Sequence, residues 1–246
     1  MFILLLLVAV FVGGLIGTVG AGGILIIPLL GPMAGLSTHQ AMGTALFSFL
    51  FTGMLGTFLY RRHGSISWGI TIPVCLGSVL FAFPGAQVNA LVQAEHLNVI
   101  LGCLIIFAGA YALFPAKGGT VEYRPGDTKQ KLLLLGIGAV VGFFSGLTGV
   151  GGPVLSVPLM VIAGFAPLAC IATSQVIQIA AASSGSLGNL MHGAIDLEVG
   201  AWITAAELAG VFIGVRIAHR VSQRTLKRIV SVVCIIVGLF VIVRSV

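Results

Sequence analysis

Hydrophobic and polar positions divide this chain into long apolar stretches separated by short polar turns. Uninterrupted stretches of about twenty residues cover 38–60, 66–88, 95–115, 167–190, 195–217 and 225–245. Each predicts a helix of about 30 Å at 1.5 Å per residue, the thickness of a bilayer's hydrocarbon core. Two further apolar segments, 1–35 and 131–164, are longer and are broken by glycine clusters, "GTVGAGG" from Gly17 and "GLTGVGG" from Gly146. The stretch Lys117 to Gln130 is the one long polar linker. Met1 to Val12 has the apolar core of a signal peptide but no basic start or A-x-A site, so it is read as retained.

The two broken segments belong to a repeat. A shift of 129 residues carries Gly13, Gly17, Gly20, Gly22 and Gly23 onto Gly142, Gly146, Gly149, Gly151 and Gly152. It also carries Gly35 onto Gly164, Thr44 onto Thr173, His63-Gly64 onto His192-Gly193, and Gly85 onto Gly214. Pro28 and Pro158 fall one position out of step. The predicted organisation is a membrane repeat over 1–116, a linker over 117–130 and a second repeat over 131–246.

Composition and charge sharpen this picture. Of 246 residues 58% are hydrophobic and 7% charged, against about 25% charged in a soluble domain. The fold class is therefore an all-α polytopic membrane protein. A net charge of +6 then speaks of topology and anionic lipid, and no nucleic-acid partner is expected. If each broken segment crosses the membrane, the halves lie parallel and the twelve Lys and Arg residues split 7 to 5. If each is a re-entrant hairpin, the halves are inverted and the split is 11 to 1, only Arg244 lying apart. An excess of basic residues marks the cytoplasmic side. Inverted repeats are thus expected, each a re-entrant broken-helix hairpin plus three transmembrane helices, with a cytoplasmic linker and both termini external. About 33 residues per broken segment suit two half-length helices.

Irregular backbone at membrane depth persists where protein or a water-filled cavity satisfies it. Gly20-Ala21-Gly22-Gly23 and Gly149-Val150-Gly151-Gly152 are expected at the hairpin tips, each followed by a helix start. Unpaired N–H groups and the positive dipole end make such starts suited to an anion, and glycine lets a ligand approach closely. The alternative is that the glycines allow tight helix packing. Thr44, Thr173, Ser174, Gln175 and Gln178 supply neutral donors beside the tips. Ser37 and Thr38 read first as helix caps, and His39 and Gln40 are weaker candidates at a membrane edge.

The GxGG clusters with a following proline, the four-segment repeat and the size of the chain resemble the TauE/SafE family of sulfite and organosulfonate exporters. The resemblance covers essentially the whole chain. It implies a cell-membrane carrier of small sulfur oxyanions or related anions, with export as the direction of flux.

Glu207 is the only acid in the middle of an apolar span, where a carboxylate is costly unless paired. It reads either as a proton-coupling group or as a helix-packing hydrogen bond. Cys75, Cys103, Cys170 and Cys234 sit singly in apolar runs, and no HExxH or CxxC spacing occurs, so no metal or cofactor is expected. His63 and His192 precede glycine and read as turn residues. No Walker A motif appears. "SSGS" at Ser183 offers hydroxyls but no histidine base in a span, so an enzyme is not expected. The expected function is a secondary transporter with a small anion, lipid and a coupled proton as partners. An anion channel on the same scaffold, or a carrier of an unrelated small anion, fits the same features. The chain is also compatible with a homo-oligomer.

Overall fold

The computed structural model describes residues 2–20, 22–113, 121, 123–124, 127–218, 235–236, 239 and 242–243. Among them no strand occurs, and the helices are α1 (Phe2–Val19), α2 (Ile27–Ala34), α3 (Thr38–Arg62), α4 (Trp68–Leu91), α5 (Ala94–Leu113), α6 (Thr128–Thr148), α7 (Pro153–Ile162), α8 (Pro167–Met191) and α9 (Leu197–Ala218). A short 3-10 turn, Gly23–Leu25, precedes α2. The stretch expected to be helical over 225–245 lies outside the described residues except at 235–236, 239 and 242–243, which are helical.

Local chemistry sets the helix ends. Ser37 and Gln40 form a reciprocal capping box that starts α3. Asp127 caps α6 by accepting from the N–H groups of Lys129 and Gln130. Left-handed Gly35 stops α2 and left-handed Gly149 stops α6, conformations that residues with a Cβ avoid. Five helices, α3, α4, α6, α8 and α9, are long and apolar enough to cross a membrane. Their outer faces carry large exposed apolar residues, such as Ile72, Leu76 and Leu80 on α4 and Leu187 and Leu190 on α8. Lipid covers such a face at no cost. This is a multi-pass membrane protein.

Close approaches at glycine fix the helix directions. A Cβ on Gly142 would meet Ser78 backbone, and one on Gly146 would meet Ala82, so α6 and α4 run parallel. Gly13 meets Glu207 and Gly17 meets Val211 in the same way, so α1 and α9 also run parallel. The 129-residue shift carries one set of contacts onto the other, Ser78 onto Glu207 and Ala82 onto Val211. Helices α3 and α8, by contrast, are antiparallel: Gly43 lies against Asn189 and Ala194, whereas Gly53 lies against Gln175 and Ile179. They cross where Gln178 reaches Phe49, two positions related by the same shift.

These directions put every described Lys and Arg at one end. Arg61 and Arg62 close α3, Arg216 closes α9, and Lys129 and Lys131 open α6. Arg124 joins them through its N–H bond to Gln130. The opposite end carries Glu95, Asp196 and Glu198. Lys117, Arg220, Arg224, Lys227, Arg228 and Arg244 lie outside the described residues.

The broken segments differ from the expected pair of half-length helices. Their first limbs, α1 and α6, are 18 and 21 residues long, and the limbs after the break, α2 and α7, only 8 and 10. The reason lies in where the helix breakers fall. Glycine tolerates a helix interior while neighbours pack closely on it, as Gly13, Gly17, Gly142 and Gly146 do, so each first limb runs on to the left-handed glycine.

Candidate substrate site

Three backbone positions at the breaks need glycine for conformation: Gly20 at φ +79°, Gly149 at +68° and Gly151 at +77°. Gly22 and Gly152 are right-handed and owe their small size to space. A Cβ on Gly22 would strike Leu15 of α1, which shows that the chain has doubled back beside the helix it just left. Gly149 lies against Met42 in the second turn of α3, well past the α3–α8 crossing. Gly152 lies against the backbone of Ile177 and Gln178, at the crossing itself. The stretch that returns to the middle is therefore the one after each turn.

Phe49 joins the two breaks. Its ring would be 2.7 Å from a Cβ on Gly23 and 2.9 Å from one on Gly151. Both glycine clusters thus press on one buried aromatic ring of α3. Gln178 reaches across from α8, its Nε2 donating to Phe49 O and to Thr52 Oγ1, both at 2.8 Å. Gln175 sends Nε2 to Ile16 O at 3.4 Å, while its Oε1 lies against Gly56 with no donor among the described residues. Ser174 Oγ lies 3.4 Å from where a Cβ of Gly20 would stand, and it donates to Ile171 O.

The amides at the crossing come from one half. The shift pairs Gln178 with Phe49, Gln175 with Leu46 and Ser174 with Ala45. The first half supplies an aromatic and aliphatic wall with the Thr52 hydroxyl, and the second supplies amides and the Ser174 hydroxyl. Of the other expected site residues, Val150 is buried between the two left-handed glycines, and Ala21 lies outside the described residues.

Thr44 and Thr173 are not brought together. Thr44 Oγ1 accepts the Asp196 N–H at 2.9 Å, and Thr173 Oγ1 pairs with Thr71 Oγ1 at 3.0 Å, toward opposite ends of the bundle. His39 bonds Asn89 through Nδ1 at 3.1 Å, and Gln40 Oε1 is engaged in the α3 cap. The expected site residues that are described at the crossing are all buried, so this conformation is closed around the middle.

Three side chains absent from the sequence-based candidates tie the breaks down. Tyr60 OH donates to Gly17 O at 3.0 Å, and Asn89 Nδ2 donates to Leu147 O at 2.6 Å. Phe49 is the third. The signal for Phe49 was its position opposite Gln178 in the repeat. No local signal points to the other two.

Glu207 is fully buried, and neither carboxylate oxygen has a hydrogen-bond partner among the described residues. Ser48 lies beside it on α3, but the Ser48 hydroxyl is donated to Ala45 O at 2.8 Å. Glu207 is also the only charged residue among the described buried ones. No group of three His, Cys, Asp or Glu side chains is assembled among the described residues.

Helices clad in apolar residues around a glycine-rich, amide-bearing middle define a multi-pass membrane protein. The chain belongs to the sulfite exporter TauE/SafE family, whose model matches residues 3–241. It is 24% identical over 245 residues to the probable membrane transporter protein YdhB of Bacillus subtilis, covering 97% of this chain and 99% of that one. It is 28% identical to the probable membrane transporter protein YunE of the same organism, covering 94% and 93%. A third relative, the probable membrane transporter protein MJ0441 of Methanocaldococcus jannaschii, is 24% identical over 98% of this chain and 97% of its own. No solved structure matches significantly. The protein is a membrane transporter.

Proposed function

We propose that the chain is a secondary carrier for small sulfur oxyanions, sulfite or an organosulfonate, exporting them by alternating access. The anion is held at the α3–α8 crossing, where both glycine breaks return. One observation carries this reading: two separate left-handed glycine turns converge on a single pair of repeat-related residues, Phe49 and Gln178. Helix starts after the breaks leave N–H groups without intrahelical acceptors. Those groups, with the Gln175 and Gln178 amides, bind an anion as neutral donors and spare the middle a buried cation. The unpartnered Gln175 Oε1 accepts from a protonated oxyanion such as bisulfite.

Residues 1–116 and 131–246 act as two inverted repeats, each a re-entrant hairpin plus three crossings, and the linker is cytoplasmic. The antiparallel α3 and α8 support this, as does the gathering of described Lys and Arg at the end where α3 and α9 finish. The location is the inner membrane of the cell, with both termini external. Glu207 carries the coupled proton, since a buried carboxyl without a partner in a span marks a proton path.

The test is counterflow in proteoliposomes. Radiolabelled sulfite is loaded against unlabelled sulfite, taurine, sulfoacetate, thiosulfate or chloride. Saturable exchange accelerated by a sulfur oxyanion on the far side supports the carrier. Non-saturating flux without counterflow would instead mean a channel, and exchange with none of these anions would refute the substrate class.

A further inference from the structure

The end of the bundle away from the basic residues holds a polar cavity of about 440 Å³, lined by Ser37, His39, Gln40, Asn89, Asn189 and His192 among others. Its chemistry is unlike that of the crossing. Asn189 is 2% exposed and lines this cavity. Two imidazoles share the wall with it. Asn89 fixes the tautomer of one: its Nδ2 donates to Leu147 O at 2.6 Å, so its Oδ1 accepts, and His39 Nδ1 must carry the hydrogen. The remaining nitrogen, Nε2 of His39, then carries the ring's lone pair. His192 likewise engages one nitrogen, Nε2 with Gln87 Oε1 at 2.8 Å, and keeps Nδ1.

Protonation turns both remaining nitrogens into charged donors on one cavity. Among the described residues, the other titratable groups at this end are Glu95 and His96 at the start of α5, and Asp196 and Glu198 at the start of α9. Asp196 Oδ1 is occupied by the Val199 N–H. No described Lys or Arg lies at this end, so the imidazoles are its only described source of positive charge besides His96. The cavity also adjoins the second break, because Asn89 grips α6 two residues before Gly149.

We propose that this cavity is a second, proton-dependent oxyanion site, an antechamber through which the anion passes between the crossing and the medium. His39, His192 and Asn189 are its ligands. The proposal rests on the reading that the cargo is an anion, but it concerns a site separate from the crossing. Histidine changes charge between about pH 5 and 8, so the site fills as pH falls through that range.

Sulfate is the probe, titrated calorimetrically into the purified full-length protein at pH 5.5 and 8.0. Wild type is expected to bind at least about ten-fold more tightly at pH 5.5. His39→Gln and His192→Gln each lose most of that gain, and His63→Gln, at the other end, keeps it. Asn189→Ala retains both imidazoles and weakens binding at pH 5.5 several-fold, which decides the matter should a histidine variant fail to fold. No sulfate binding at pH 5.5, or a pH dependence untouched by the His39, His192 and Asn189 changes, overturns the antechamber. Failure of the carrier reading would show separately, as absent counterflow with this binding intact.

Discussion

Gly151→Ala isolates the part of the site that geometry describes best. The added methyl meets two penalties. First, Gly151 sits at φ +77°, where a Cβ costs about 1–2 kcal/mol. Second, that Cβ would stand 2.9 Å from Phe49 Cδ2, and the buried ring has to move. Overpacking of this kind adds about 1–3 kcal/mol. Gly64→Ala separates the two penalties, because Gly64 has nearly the same backbone, φ +65°, with nothing within 4 Å of its would-be Cβ. Unfolding in mixed micelles should therefore cost about 1–2 kcal/mol for Gly64→Ala and about 2–5 kcal/mol for Gly151→Ala. The excess belongs to Phe49, so Phe49→Leu should recover much of it in the double variant. Counterflow is the second readout. A ring displaced at the crossing should lower sulfite exchange at least about ten-fold, equivalent to 1.4 kcal/mol, while Gly64→Ala exchanges as wild type. Equal unfolding costs together with equal exchange for the two variants would refute both the contact and the placing of the site.

Glu207→Gln should abolish the dependence of sulfite flux on a pH gradient while leaving exchange at equal pH, measured in the same vesicles; an unchanged gradient response would return Glu207 to helix packing. Gln178→Leu removes two hydrogen bonds to atoms that keep other partners, so it should cost only about 1–3 kcal/mol of stability yet weaken sulfite binding strongly in equilibrium dialysis. Single cysteines at Ser65 and Thr128, in a chain freed of its own cysteines, should label from the cytoplasmic side, and ones at Gln93 and Leu197 from outside. Labelling of Ser65 and Leu197 from the same side would remove the inverted arrangement.

Much of the architecture was legible in the chain. Helices α3, α4, α8 and α9 start and stop within a few residues of the apolar stretches, because polar turns and caps such as Ser37 mark their ends. The matching glycines have a physical reason, because close helix contact tolerates no Cβ at positions such as Gly13 and Gly142. Limb length was not legible. A glycine-rich apolar segment does not reveal at which positive-φ glycine the first limb stops, and here it was Gly20 and Gly149. The ties from Tyr60 to Gly17 and from Asn89 to Leu147 were equally hidden, since they join residues 43 and 58 positions apart through single hydrogen bonds. The positions of Thr44 and Thr173 were hidden for a related reason. Equivalence in a repeat says that two residues do the same kind of thing, and these two hold helices together at opposite ends.

The amides at the crossing come from α8, with Phe49 and Leu46 facing Gln178 and Gln175 in the register of the repeat. Two identical halves that exchange conformations would pass between two states of equal energy, each the image of the other. Here the exchange would carry amides to where a ring now stands, so the two open states differ in hydration and in hydrogen bonding. On the proposed alternating-access reading, their populations are then unequal before any substrate or gradient acts, in the ratio that their free-energy difference sets. A difference of 1.4 kcal/mol suffices for ten to one. Such a carrier would favour opening to one side over the other, and that bias would be written into α3 and α8.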